Sequence, residues 1–121
     1  MNKTVKVYGY EGCSSCKKAY SFLNKHAIPF EKQPIRESPP NRDELSTMLG
    51  VYDGNIRKLF NTSGRDYQSM NLKEKLPTLT TSQAFDLLTQ NGNLVKRPFM
   101  LKGSEGLVGF NEARWTSFFK G

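Results

Sequence analysis

Cys13 and Cys16 are the only cysteines in the chain and stand three apart in the segment Gly12-Cys13-Ser14-Ser15-Cys16-Lys17-Lys18. That spacing suits thiol–disulfide exchange, in which one thiolate attacks a sulfur and the neighbouring thiol resolves the mixed disulfide. Only the thiolate attacks, so the chemistry needs a cysteine acidified below its ordinary range. A helix N-terminus with cations nearby does this. Free backbone N–H groups from Ser14 to Cys16 and the charges of Lys17 and Lys18 are placed to stabilise negative charge on Cys13, whereas Cys16 falls one turn further on, on an apolar face. Cys13 is therefore read as the nucleophile and Cys16 as the resolving thiol. Two inert core cysteines are the competing reading, and a CxxC that follows a strand and opens a helix argues against it.

Other chemistries find less support. A disulfide closing so short a loop removes little unfolded-state entropy, so stapling is a poor use of the pair. Structural zinc needs four ligands, and beyond the two cysteines the chain offers only His26, so no metal site is expected. Neither a Gly-rich nucleotide fingerprint nor a Ser/His/Asp arrangement occurs. The net charge of +7 is spread out, with basic residues at most two together and acids between them. It reads as a solvated surface that favours anionic partners such as glutathione, oxyanions or an acidic protein face, without direct nucleic-acid binding. Met1 is followed by Asn2-Lys3-Thr4 and no apolar stretch, so the expectation is a cytoplasmic protein with neither signal peptide nor membrane span. Length and uniform composition fit one domain over 1–121, monomeric and without a bound cofactor.

The elements that must position the cysteines follow from periodicity. Thr4 to Tyr8 alternates like a half-buried strand, and Gly9 to Gly12 supply a turn. From Ser14, the residues Cys16, Ala19, Tyr20, Leu23 and Ala27 recur at helical spacing, and Pro29 is expected to end that helix. Residues 29–33 suit a second strand, making a βαβ unit with the helix as crossover. Asn41 with Glu44 predicts a capped helix through Leu45, Met48 and Leu49 closed by Gly50, and Asp53-Gly54 makes a turn. Ile56, Leu59 and Phe60 form a brief apolar helical face, while 61–79 has no clear pattern. Thr80 to Gln83 fits a capping box for a helix that stops at Asn91-Gly92. Residues 98–102 and 106–110 read as a hairpin joined by Gly103-Ser104-Glu105, and Asn111 caps a last helix bearing Trp115, Phe118 and Phe119.

The cysteine segment, together with Leu59 to Gly64, Val95-Lys96-Arg97-Pro98 and Val108-Gly109-Phe110-Asn111-Glu112, resembles the family of glutaredoxin-type arsenate reductases and Spx-type transcriptional regulators. The resemblance spans nearly the whole chain. It implies a thioredoxin-like α/β fold: a four-stranded mixed sheet with flanking helices and a helical insertion, about 38–92, between the second and third strands.

The resemblance further implies that Arg97 and a cis Pro98 border the cysteine. There the planar donors of Arg97 would hold a carboxylate or oxyanion alongside Gly12, Ser14, Ser15 and Lys17. Arsenate reductases of the family bind their anion with three arginines, and only Arg97 matches. Asn61 and Gly109 occupy the other two places, and each lost charge-assisted hydrogen bond is worth about 1.5–3 kcal/mol, so weak arsenate binding is expected. Spx-type regulators dock the C-terminal domain of the RNA polymerase α subunit near a glycine in a turn like Asp53-Gly54, and the basic C-terminal extension that they carry is not expected here, with Lys120-Gly121 the last residues read. The expectation is a thiol oxidoreductase that uses glutathione, thioredoxin or glutaredoxin as electron donor. The alternative is a redox-sensing partner of the polymerase docking through Asp53 and Gly54.

Overall fold

The computed structural model describes residues 4–120. The chain runs through β1 (Val5–Gly9), α1 (Ser14–Lys25), β2 (Phe30–Pro34), α2 (Arg42–Val51), α3 (Arg65–Ser69), α4 (Leu72–Lys75), α5 (Thr81–Gln90), β3 (Phe99–Lys102), β4 (Glu105–Val108) and α6 (Glu112–Lys120), with 3-10 turns at Ile56–Leu59, Leu76–Thr78 and Gly92–Leu94. The strands lie in the order β2-β1-β3-β4. β1 pairs parallel with β2 and antiparallel with β3, and β3 pairs antiparallel with β4. A parallel neighbour requires a crossover, and α1 is that crossover. The mixed four-stranded sheet with its helical insertion between β2 and β3 is thus the thioredoxin-like architecture expected.

Period-two alternation sorts the central strands between two apolar clusters, one on each face. Val5, Val7 and Met100 meet Ala19 and Leu23 of α1 and Trp115 of α6. Tyr8, Phe99 and Leu101 turn the other way, toward Leu45 and Met48 of α2 and Phe85 and Leu88 of α5. Both capping boxes form: Asn41 Oδ1 accepts from the Glu44 N–H at 2.8 Å, and Thr80 Oγ1 accepts from the Gln83 N–H at 3.1 Å. Glu44 does more than cap, because it also accepts from the Tyr8 hydroxyl at 2.6 Å and from Lys6 Nζ at 3.0 Å. Burial alone would raise its pKa, but the Tyr8 hydroxyl, the Asn41 N–H and Lys6 outweigh that and hold it below the usual carboxylate range.

Several boundaries differ from the sequence reading. α1 ends at Lys25, before Pro29, and the chain folds back with the Ile28 N–H donating to Leu23 O at 2.9 Å. Ala27 is consequently exposed, with φ +55, and takes no part in the apolar face. Gly50 lies inside α2 and does not close it. The reversal comes at Asp53 (φ +57) and Gly54 (φ +83), where the Gly54 N–H donates to Leu49 O at 2.9 Å. Gly92 follows α5 without a left-handed φ; it is buried, and a Cβ there would collide with the Ile35 carbonyl oxygen. In the hairpin Glu105 already pairs with Lys102, leaving Gly103-Ser104 as the turn and releasing Gly109 and Phe110 from β4. The segment 61–79 folds as α3, α4 and a 3-10 turn, too short for a periodic pattern and held by buried Tyr67, Leu72 and Leu76.

Candidate functional site: two unlike thiols at the start of α1

β1 delivers the chain to the cysteines through a glycine that must be small. A Cβ on Gly9 would stand 2.7 Å from Cys16 Sγ and 2.7 Å from the Tyr20 hydroxyl. The backbone then turns, with the Cys13 N–H donating to Tyr10 O at 3.2 Å, and Gly12 passes so close to the Tyr10 ring that a Cβ would sit 2.8 Å from it. Cys13 is the N-cap of α1. It has extended backbone (φ −95, ψ 117), and its Sγ accepts from the Cys16 N–H at 3.3 Å, in the position an Asp or Ser oxygen normally fills. No acidic residue lies in the first turn of the helix, so nothing there opposes an anion at this end.

The two thiols are free and occupy different surroundings: Cys13 is partly exposed, while Cys16 is wholly buried against Ala19, Tyr20 and Leu23. Burial, reinforced by the hydrogen bond and charge of Cys13, pushes the Cys16 thiol up to about 12, against the opposing pull of the Tyr10 backbone and the Arg97 charge. Cys16 is therefore a neutral thiol at physiological pH and supplies a proton-bearing neighbour to Cys13. Tyr20 is also raised to about 12, by burial first and then by the charges of Cys16, Glu11 and Cys13. Ser14, Lys17 and Lys18 stand exposed around the helix start, and Ser15 is half-buried.

Arg97 and Pro98 reach the same place from the far end of the fold. Their peptide bond is cis, and Pro98 is buried immediately before β3. The Arg97 guanidinium carbon lies 4.6 Å from the Tyr10 ring centroid, and its Nη2 donates to the Tyr10 hydroxyl at 3.4 Å. Arg36 covers the same ring at 4.0 Å. The other terminal nitrogen of Arg97, Nη1, is buried without a hydrogen-bond partner. Tyr10 is the piece that sequence reasoning missed. Nothing in its spacing marks it, because its role is to seat two arginines contributed by distant segments.

The remaining candidates divide: Asp53 and Gly54 lie away from the cysteines, whereas Asn61 and Gly109 each share a hollow with Arg97. Asp53 and Gly54 are exposed beyond the C-terminus of α2, which packs on the face of the sheet opposite α1. Asn61 is held near Val95 by its N–H, which donates to Leu94 O at 2.8 Å, and Gly109 has φ +73 in the loop after β4. Among the described residues, no group of three or more His, Cys, Asp or Glu side chains could hold a metal ion, and no helix is long and apolar enough to cross a membrane.

The sheet order and the CxxC pair at the start of its first helix define a protein of thioredoxin-like fold. The chain belongs to the ArsC family, whose model matches residues 8–118. It is 37% identical over 109 residues to the uncharacterized Bacillus subtilis (strain 168) protein YusI, covering 90% of this chain and 92% of that one. It is 29% identical over 114 residues to the global transcriptional regulator Spx of Streptococcus mutans, covering 94% of this chain and 82% of the regulator. A solved structure from Streptococcus mutans UA159, described as a possible arsenate reductase, superposes with TM-score 0.88 at 31% identity, covering 98% of this chain and all of the other. The family thus joins enzyme-like and regulator-like relatives on one scaffold.

Proposed function

We propose that the protein is a thiol–disulfide oxidoreductase in which Cys13 attacks and Cys16 resolves. One observation carries the reading: the accessible sulfur sits on the helix N-cap with an N–H donor aimed at it, while its partner is buried and protonated. The Cys13 thiolate attacks a disulfide sulfur, forming a mixed disulfide and expelling the other half as a thiolate. Cys16 then loses its proton, attacks Cys13 Sγ and releases the second half, leaving an oxidised pair. Glutathione, thioredoxin or glutaredoxin returns the two electrons. Arg97, seated on Tyr10 and sharing a hollow with Ser15, supports the reading that a carboxylate or oxyanion on the substrate is held there, with Gly12, Ser14 and Lys17 as further candidates.

Arsenate is not the substrate this reading favours, because Asn61 and Gly109 offer no guanidinium at their places. The experiment is substitution at the two cysteines. Cys13→Ser abolishes reduction of a glutathione mixed disulfide, and Cys16→Ser accumulates a mixed disulfide at Cys13 visible by intact mass. Full activity in Cys13→Ser removes the proposal.

A second reading rests on the similarity to Spx and on the exposed Asp53-Gly54 turn, both of whose residues have positive φ. In it, the oxidation state of Cys13 and Cys16 alters affinity for the C-terminal domain of the RNA polymerase α subunit. Titration of that purified domain with oxidised and reduced protein tests it, and equal absence of binding in both forms rules it out.

A further inference from the structure

Beside the cysteine site lies an open hollow of about 260 Å³, and of the cations that line it the proposed reaction has used only Arg97. Ser15, two residues after Cys13, forms one wall, and Lys96, Arg97 and Arg114 supply the charge, with no carboxylate in the lining. Among the described residues none of the three takes part in an ion pair.

Their convergence depends on the loop after β4. The Gly109 N–H donates to Pro98 O at 2.8 Å, and its carbonyl accepts from Trp115 Nε1 at 3.0 Å, which ties the loop to the residue that precedes β3 and to the helix after it. Gly109 has φ +73 and no side chain, and Lys96 Cε lies 3.3 Å from where its Cβ would be. The missing side chain thus leaves the space the lysine stem uses. Arg114 comes from the first turn of α6, whose N–H is capped by Asn111 Oδ1 at 3.0 Å. Arg97 links the hollow to the thiols, since its charge acts on Cys16 and its Nη1 is buried and unpartnered.

We infer that Lys96 and Arg114, together with Arg97, form a carboxylate-binding pocket that selects small anionic thiols and disulfides for reaction at Cys13. The size of the hollow suits one acidic arm of a small molecule. A guanidinium grips a carboxylate in two bonds, and a lysine adds a mobile point charge. The inference rests on Cys13 being the reacting thiol and adds what the partner must carry.

The test is charge-selective alkylation in a Cys16→Ser background, where Cys13 is the only thiol and no turnover is needed. The Cys13 thiolate forms a bond to the reagent's methylene carbon and iodide leaves, whether the reagent is neutral iodoacetamide or anionic iodoacetate. The ratio of the iodoacetate to the iodoacetamide rate in the native protein, divided by the same ratio in denaturant, measures the pocket. This normalised ratio is expected to exceed unity by about threefold or more at low salt and to fall toward unity in high salt. Lys96→Gln and Arg114→Gln each reduce it by about threefold with the iodoacetamide rate held within twofold, whereas Lys73→Gln, which removes the same charge from exposed α4, leaves it unchanged.

A normalised ratio unaltered in the Lys96→Gln/Arg114→Gln double variant overturns the inference, as does equal slowing of both reagents or an equal effect of Lys73→Gln. Melting temperatures near that of the parent confirm that the variants are folded. If both charge variants lower the ratio while the protein reduces no disulfide, the pocket stands and the oxidoreductase reading falls. An unaltered ratio with intact turnover gives the reverse.

Discussion

Arg97 lies against Tyr10, with its guanidinium carbon 4.6 Å from the ring centroid and Nη2 donating to the hydroxyl at 3.4 Å. The two residues are separated by most of the chain, yet the contact places the only cation of the Arg-Pro pair beside the thiols, and Arg36 packs over the same ring at 4.0 Å. A cation over an aromatic face is worth about 0.5–1 kcal/mol where partly solvated. Tyr10→Leu should therefore slow reaction of Cys13 with an anionic disulfide by about two- to fivefold, and Tyr10→Phe, which keeps the ring, should lose much less. Stopped-flow rates with a charged aromatic disulfide distinguish the two. Identical rates for Leu and Phe would show that the ring does not hold the arginine.

Cys16 is protected twice, by burial and by its raised pKa. In Cys13→Ser protein at pH 8, iodoacetamide should label Cys16 at least about a hundredfold more slowly than in the denatured chain. Mass spectrometry over time reads both rates.

The same raised thiol gives stability a definite pH dependence. Unfolded, Cys16 loses its proton around 9.0; folded, it keeps it to about 12, so above pH 9 the unfolded state binds fewer protons and stability falls as pH rises. Tyr20 adds to the loss in the same direction between its ordinary 10.0 and about 12. Each group contributes a slope of up to about 1.4 kcal/mol per pH unit while it titrates. Urea unfolding between pH 8 and 11 measures it, and Cys16→Ser should flatten the first part of the fall.

Glu44 acts at the acid end. Its folded pKa is depressed, so the stability it contributes is present above its ordinary 4.5 and is lost as pH falls through its lower folded value. Glu44→Gln should weaken that acid dependence and destabilise at pH 7 by about 1–3 kcal/mol, because charge-assisted bonds from Tyr8 and Lys6 are replaced by neutral ones. Paired denaturation curves at pH 7 and pH 3 check both parts.

Two glycines should respond in opposite directions. Gly92→Ala forces a Cβ onto the Ile35 carbonyl oxygen and should cost about 3–5 kcal/mol or prevent folding. Gly50→Ala has open space within α2 and should stabilise by about 0.5–1 kcal/mol. Thermal melts of the two proteins test the pair.

Much of the architecture was legible because local physics writes it into short windows. Asn41 with Glu44 and Thr80 with Gln83 announce helix starts through hydrogen bonds made within four residues, and the alternation in β1 declares which side chains face each apolar cluster. The stops were less legible. Gly50 looks like a terminator yet is an ordinary helical residue, whereas α5 does stop at Asn91-Gly92 as expected, with Gly92 kept small because a neighbouring strand end passes over it. Short helices between 65 and 75 left no period to read, since their anchoring residues meet partners far along the chain.

By itself the sequence determined the βαβ entry, the placement of Cys13 at a helix start with no acid in its first turn, and Arg-Pro before the hairpin, all set by neighbours a few positions away. Tertiary structure alone decided that Cys16 would be sealed in the core, that Tyr10 would seat Arg36 and Arg97, and that Lys96 and Arg114 would face one hollow. Those relations join residues whose separation along the chain carries no information about their separation in space, and only the closing of the sheet brings them within reach of one another.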